Sequence, residues 1–434
     1  MSALARRPVS AGLARALQAR GVHYGWIVAL VTFLTMLATA GAMGAAGVML
    51  KPLQQEFGWS SAQISMALAL RLLLYGLMGP FSAAFMIRFG LSRVVVTALV
   101  LIMGGLIASC FMTQIWQLAL LWGFVVGFGS GLTALVLGAT VATRWFSARR
   151  GLVVGFLTAS NATGQLIFLP ALASLTENWG WRAALSFAVL MLALALGLVA
   201  MLMRDYPEDI GLRAYGAPAD SPAGQGAPAG EFFATLLLPI SILREAARTK
   251  VFWVLFSSFF VCGLSTNGLI QTHWISFCAD NGLPPVGAAG LLAVIGAFDF
   301  VGTILSGWLS DRYDNRWLLF VYYGGRGLSL LYLPFSDFSL PSLSIFAVLY
   351  GLDWVATVPP TVKLTAERFG PQKSGVIFGW IFAGHQLGAA TAAYGAGATR
   401  TLAGAYGPAL LAIGFCCLAA SMLVISLPRA SAPR

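Results

Sequence analysis

Twelve stretches of this chain are apolar over about 20 residues, the length that crosses roughly 30 Å of bilayer hydrocarbon as a helix, and most are separated only by short polar segments. They run over 24–50, 60–82, 94–112, 117–142, 151–174, 182–203, 251–277, 286–308, 318–336, 342–364, 375–398 and 408–427. In lipid each segment must satisfy its own backbone, so the expected fold class is an all-α membrane protein with twelve transmembrane helices. Composition agrees, since 59% hydrophobic residues, 9% charged residues and a mean hydropathy of +0.83 fit no soluble globular class.

The net charge of +11 raises the question of nucleic acid, but the basic residues form no reading surface, and no nucleic-acid partner is expected. They follow membrane topology instead. Alternate loops and both ends hold Arg6, Arg7, Arg15, Arg20, Arg88, Arg93, Arg144, Arg149, Arg150, Arg204, Arg213, Arg244, Arg248, Lys250, Arg312, Arg316, Arg368, Lys373, Arg429 and Arg434; the other loops keep only Lys51, Arg182 and Arg400. This asymmetry places both termini in the cytoplasm. Residues 1–23 lack a short apolar core with a cleavage site and read as a cytoplasmic amphipathic lead, not a signal peptide. Arginine far outnumbers lysine and alanine is abundant, a composition that suggests a bacterial inner membrane. The five cysteines have no metal or redox spacing and read as packing residues. No phosphate loop, metal cluster or nucleophile constellation is present, so neither an enzyme nor a cofactor is expected; Gly123, Gly127, Gly129 and Gly131 read as close helix packing.

Between 204 and 250 the hydropathy breaks. Arg204 to Asp209 leads into a Pro, Gly and Ala stretch through Gly230, and residues 231–250 mix apolar and basic side chains as an interfacial helix does. The expected organisation is therefore a first half over 1–203, a cytoplasmic linker over 204–250 and a second half over 251–434, with six spans on each side. Laying Arg312 on Arg88 also lays Arg368 on Arg144, Gly375 on Gly151, Gly379 on Gly155 and Gly388 on Gly164. Matching span lengths make this a parallel duplication, with a substrate site expected near midplane between two pseudo-symmetric halves.

Five ionisable residues stand near the middle of apolar spans: Arg71, Asp299, Arg326, Asp353 and His385. A charge there costs several kcal/mol or more, so such residues pair with one another or mark a substrate or proton path.

Six plus six spans, the linker and the basic loops resemble the major facilitator superfamily. The loop motif of that family is similar to Gly307-Trp308-Leu309-Ser310-Asp311-Arg312-Tyr313-Asp314-Asn315-Arg316. In the first-half copy Ala83 and Ile87 replace the glycine and the aspartate, while Arg88, Gly90 and Arg93 remain. The resemblance implies gating at Asp311, Arg312, Arg316, Arg88 and Arg93, resting more on Asp311 than on any first-half acid. Within the superfamily, Arg144-Trp145-Phe146-Ser147-Ala148-Arg149-Arg150-Gly151 through Gly155 resembles the span-five signature of monocarboxylate transporters. Tyr24-Gly25-Trp26 resembles their span-one signature without its acid, and Glu56-Phe57-Gly58-Trp59-Ser60 is similar to bacterial relatives including the oxalate/formate type. Span five lacks the Gly-Pro element common in drug-proton antiporters.

The family arrangement implies that spans 1, 4, 7 and 10 line the cavity, that spans 2, 5, 8 and 11 form the interface, and that span 2 packs on 11 and span 5 on 8. Asp299, with Gly302, Thr303 and Ser306 on one helical face, is then the leading proton site, because burial disfavours the charged carboxylate and suits reversible protonation. Monocarboxylate transporters commonly carry an arginine four residues after this aspartate; here Thr303 stands at that spacing. A carboxylate substrate still needs a cation, for which Arg71, Arg326 and His385 are the candidates. Arg326 reads either as a substrate clamp or as a buried partner of Asp299 or Asp353, and Asp353 either as that partner or as transport chemistry. Arg71 and His385 are expected near each other, with Asn161 and Gln165 near Asp299; Tyr75 shares a face with Arg71 and is the repeat equivalent of Asp299. The resulting expectation is a monomeric secondary transporter moving a small organic anion, a monocarboxylate, with protons by alternating access. The alternatives are an anion exchanger of the oxalate/formate type and a non-transporting membrane receptor of the same architecture.

Overall fold

The computed structural model describes residues 8–59, 61–218, 232–283 and 285–428; Arg6, Arg7, Ser60, Arg429, Arg434 and linker residues 219–231 lie outside this set, as do the side chains of Asn161 and Gln165. After a short helix Pro8–Gln18 come the twelve spans, numbered here in chain order. The first half holds span 1 (Gly25–Phe57), span 2 (Ser61–Phe89), span 3 (Leu91–Ser109), span 4 (Ile115–Trp145), span 5 (Arg150–Trp179) and span 6 (Trp181–Leu202). The second half holds span 7, which runs from Lys250–Gly263 through Leu264–Gln271 to Thr272–Asp280, and span 8 (Pro285–Ser310). Span 9 (Asn315–Tyr332), span 10 in two pieces (Leu340–Asp353 and Val358–Phe369), span 11 (Pro371–Ala403) and span 12 (Gly407–Ile425) complete it. Most helices overrun the apolar runs that mark them, since their polar ends project beyond the hydrocarbon. Span 9 is among the least apolar, because Arg326 shares it with three tyrosines and three glycines.

Several turns are as tight as a chain permits. Gly90, Gly180 and Gly370 alone join spans 2 to 3, 5 to 6 and 10 to 11, at φ of 90°, 83° and 79°. A side chain is strained in that region of backbone space, so glycine lets two long helices reverse with one residue between them. The duplication reappears here, because Gly58 falls on Gly282 and Gly180 on Gly404 in the same repeat register, and all four have positive φ. It also appears at the ends of the halves. Glu56 and its repeat equivalent Asp280 each hold an arginine at the same end of the bundle, Glu56 pairing with Arg182 at 2.6 Å and Asp280 with Arg400 at 2.6 Å.

Between halves, span 5 packs along span 8 and span 2 along span 11, the pairing that the resemblance implies. Glycine sets how close they come. A Cβ at Gly155 would lie 2.6 Å from the Thr303 carbonyl oxygen and 3.0 Å from the Gly307 Cα, so a side chain there would separate the halves.

Three spans expected to line the cavity are irregular. Span 4 contains a π-helical stretch over Ala119–Val126 and span 7 another over Leu264–Gln271, while span 10 loses its helix over residues 354–357. Span 4 also breaks at Thr133, the repeat equivalent of Thr357. Such wide turns and breaks leave backbone groups for other partners and recur at functional sites.

At the arginine-rich end the residues after span 6 dock on the first half. The Ser147 and Ala148 amides donate to the Tyr215 carbonyl at 2.9 and 3.0 Å, the Tyr215 amide donates to the Trp145 carbonyl at 2.8 Å, and Asp205 accepts from the Ser92 amide at 2.7 Å where span 3 begins. A helix Phe232–Ala246 then packs on both span 2 and span 11, with the Trp380 indole donating to the Pro239 carbonyl at 2.9 Å and Lys373 pairing with Glu245 at 2.7 Å.

Candidate functional site

Asp299 is buried on span 8 where it faces the break in span 10. Its Oδ1 accepts from the Thr303 hydroxyl at 2.8 Å and from the Val355 amide at 3.0 Å. The threonine that occupies the arginine position of the monocarboxylate pattern is thus a hydrogen-bond donor to the same carboxylate. One turn further along span 8, the Ser306 hydroxyl donates to the Ala356 carbonyl at 2.5 Å.

Arg326 is buried on span 9 and spends its guanidinium on the other side of that break. Nε donates to Asp353 Oδ2 at 2.7 Å; Nη2 donates to the carbonyls of Asp353 at 2.5 Å and Trp354 at 3.1 Å; Nη1 donates to Cys262 Sγ at 3.0 Å and Ser265 Oγ at 3.4 Å. A planar fork with five N–H donors suits this task, since it closes an ion pair and caps a helix end at once. Of the partners left open by the sequence, the geometry places Asp353 against Arg326.

Cys262, read from sequence as packing, sits at the junction of this network. Besides Arg326 it meets the Thr357 hydroxyl at 3.4 Å, and His385 stands beside it. No motif announced it, because a cysteine among apolar residues carries no spacing signal. His385 lies between Phe259 and Phe382, with ring centroids 5.1 and 6.0 Å away. Among the described residues its buried Nδ1 and the buried Oδ1 of Asp353 have no hydrogen-bond partner. Each is able to take a water or a solute, as is the unpartnered Tyr323 hydroxyl on span 9.

Arg71 and His385 occupy neighbouring spans, but their contacts point apart. Arg71 Nη1 donates to the Met43 carbonyl at 3.0 Å and to its sulfur at 3.5 Å, and the guanidinium stands 5.9 Å from the Trp122 ring. Those partners belong to its own half. Among the described residues no carboxylate pairs with Arg71. Tyr75, one turn on, crosses the interface instead, its ring edge on Phe382 at 5.6 Å.

At the arginine-rich end Asp311 reaches from the loop after span 8 to the start of span 5. Its Oδ1 and Oδ2 accept from the Gly151 and Leu152 amides at 2.8 and 2.9 Å, and Lys363 on span 10 donates to Asp311 at 3.2 Å and to the Ser310 carbonyl at 2.6 Å. Lys363 was missed from sequence, although a lysine near the end of an apolar span is the signal that finds it. The other residues of this group act locally: Arg312 lies 3.9 Å over Trp308, Arg316 pairs with Asp314 at 2.5 Å and donates to the Leu427 carbonyl, and Arg88 stands 5.9 Å from the Phe89 ring. Arg93 lies at the start of span 3.

A family model described as Major Facilitator Superfamily matches residues 28–393 and 275–433. Monocarboxylate transporter 13 of Rattus norvegicus is 27% identical over 419 residues, covering 93% of this chain and 89% of that protein. An uncharacterized MFS-type transporter, YcxA of Bacillus subtilis (strain 168), is 23% identical over 378 residues, covering 86% and 87%. Among solved structures, the human organic anion transporter MFSD10 superposes with a TM-score of 0.71 at 16% identity, covering 92% of this chain and 99% of that one. The proton:xylose symporter XylE gives 0.68 at 15% identity, covering 94% and 96%. At these identities the structural matches speak to the fold.

Proposed function

Because the chain belongs to the major facilitator superfamily and is a membrane transporter, not an enzyme, we propose that it carries a small organic anion, a monocarboxylate, together with a proton by alternating access. The observation that carries this reading is a pair of lone charges on interface helices of opposite halves. Asp299 on span 8 is a buried carboxylate held by two neutral donors, and Arg71 on span 2 is a cation bonded only to Met43 among the described residues. A substrate carboxylate supplies the counter-charge that Arg71 lacks, and a proton neutralises Asp299. Loading both removes two uncompensated charges from the low-dielectric interface and lets the halves rock over the loaded site.

The remaining residues take supporting parts. His385 and Asp353 present unpartnered polar atoms toward a solute, Tyr75 shares the face of Arg71, and Asn161 with Gln165 completes the span 5 side. Arg326 braces span 10. The halves 1–203 and 251–434 move about the linker 204–250, Asp311 gates the arginine-rich end, and that end with both termini faces the cytoplasm of a bacterial cell, the monomer being the working unit.

Counterflow in proteoliposomes against labelled monocarboxylates, dicarboxylates and cations tests the substrate class, and failure of every carboxylate overturns it. Asp299→Asn is expected to abolish uptake driven by a pH gradient while keeping exchange; unchanged pH-driven uptake removes Asp299 from the proton path. Exchange that ignores pH in the unaltered protein would favour the oxalate/formate type instead.

A further inference from the structure

The break in span 10 poses an accounting problem. Residues 354–357 leave the helix inside the bundle, with Ala356 and Thr357 buried and Trp354 and Val355 half-buried, so the freed amides and carbonyls turn to other side chains. Two spans supply them. Arg326 on span 9 takes the carbonyls of Asp353 and Trp354, Ser306 on span 8 takes that of Ala356, and Asp299 takes the Val355 amide. Of these supports only Asp299 is a carboxylate able to bind a proton. Both of its bonds converge on one oxygen, Oδ1.

The piece of span 10 beyond the break, Val358–Phe369, carries Lys363, and Lys363 holds Ser310 and Asp311 at the gate. One rigid helix of 12 residues therefore runs from the groups beside the proton site to the contact that closes the arginine-rich end.

We propose that Asp299 is the latch of this hinge: ionised, it clamps the Val355 amide and fixes the lower piece of span 10; protonated, it releases that amide, freeing the piece to swing and to draw Lys363 from Asp311. An ionised acceptor makes a hydrogen bond about twice as strong as a neutral one, which gives the proton a direct hold on the hinge. Ser306 and Arg326 are positioning residues in this scheme. They keep the carbonyl side of the break satisfied in both states, so releasing Val355 swings the helix without unravelling it.

The other charged or titratable groups around Asp299 are Arg326 on span 9, Cys262 on span 7 and Asp353 on span 10. Span 5, on the interface side, carries no titratable side chain between Arg150 and Glu177. Arg326 is committed to Asp353 and to backbone, which leaves Asp299 as the group whose protonation alters the break.

The inference rests on Asp299 being the proton site, and hydrogen exchange separates the two. In the full-length protein reconstituted in lipid, exchange of the peptide spanning 352–358 is followed by mass spectrometry in neutral and acidic buffer, corrected for intrinsic rates. Protection at Val355 is expected to fall about tenfold on acidification, the ratio that loss of one charge-assisted bond supports. Asp299→Asn, neutral at every pH, is expected to show the lowered protection at both pH values. Lys363→Met should keep the pH-dependent exchange at Val355 while the distance between halves at the arginine-rich end stops responding to pH. If the peptide exchanges equally at both pH values while Asp299→Asn still loses proton-driven uptake, the latch is wrong and the proton site stands. If Asp299→Asn keeps proton-driven uptake, the proton site itself is wrong. Should that variant not fold, the pH dependence of the unaltered protein decides alone.

Discussion

Replacing Asp311 by alanine removes a contact that crosses from one half to the other, and its cost follows from the geometry. Two backbone amides at the start of span 5, those of Gly151 and Leu152, donate to the two oxygens of this carboxylate at 2.8 and 2.9 Å. A hydrogen bond to a charged group contributes about 1.5–3 kcal/mol, and an anion at a helix N-terminus adds about 0.3–1 kcal/mol. The Asp311 side chain keeps 14% of its surface exposed and shares its charge with Lys363, so the low end of each range applies. The closed arrangement should then lose about 3 kcal/mol, a shift of roughly 100-fold in the closed-to-open ratio. Asp311→Asn keeps one acceptor and should shift the ratio by about tenfold. Spin labels at Phe89→Cys and Trp317→Cys, both on exposed side chains at the arginine-rich end of opposite halves, report the ratio by double electron–electron resonance. A distance distribution in Asp311→Ala that matches the unaltered protein would refute the assignment of Asp311 as the lock.

Ile87 is the repeat equivalent of Asp311, and Ala83 already meets Gly375 at the facing start of span 11, where a Cβ on Gly375 would lie 3.5 Å from it. Ile87→Asp in the Asp311→Ala background is therefore expected to restore much of the closed population, and no change in the same distance would count against a symmetric second lock. Arg326→Met leaves Asp353 buried without its partner and should lower stability by about 3–5 kcal/mol, most of it recovered when Asp353→Leu is added; thermal unfolding of the two single variants and the double variant checks this, and simple additivity would mean the pair is not coupled. His23 holds the linker through its neutral form, because Nε2 donates to the Arg213 carbonyl at 2.9 Å while Nδ1 accepts from the Gly25 amide at 3.1 Å. Burial keeps its pKa below the ordinary 6.5, so linker docking is complete above that value and weakens as pH falls toward the lowered one. Protection of residues 211–218 in hydrogen exchange should decline over that window and become insensitive to pH in His23→Gln; a flat profile in the unaltered protein opposes it.

The fold was legible because bilayer physics leaves few choices: each long apolar run must close its own backbone bonds, and span number, helix type and duplication all follow. What the bilayer does not dictate was harder to read. Pro359 and Pro360 mark the apolar run at 342–364 for a helix break, but the helix opens just before them, over Trp354–Thr357, and the prolines start the second piece. Cys262 looked inert because a thiol becomes informative only when its neighbour in space is known. The docking of Tyr215 on Trp145–Ala148 escaped for a similar reason, since it is made by backbone groups that every residue carries. The five midplane charges were legible as a set, whereas their pairing depended on side-chain direction. Span 9 turns Arg326 toward span 10, and span 2 turns Arg71 toward spans 1 and 4.

The two halves share a backbone plan but divide the chemistry unequally. At the repeat positions of Asp299, His385 and Asp311, the first half has Tyr75, Asn161 and Ile87. The groups able to change charge at these positions, and the carboxylate that bridges to the start of span 5, are therefore concentrated in the second half. The first half answers with features that have no titration of their own: the amides of Gly151 and Leu152, the smooth surface at Gly155 and the fixed cation of Arg71. Such a division suits the proton coupling proposed above. If both halves could be protonated, intermediate states with one proton bound in either half would populate competing hinge positions. Asp299 is the one midplane carboxylate that touches the break without an arginine partner, so in the proposed mechanism a proton has one place to act and the passive half supplies the surface that opens or closes against it.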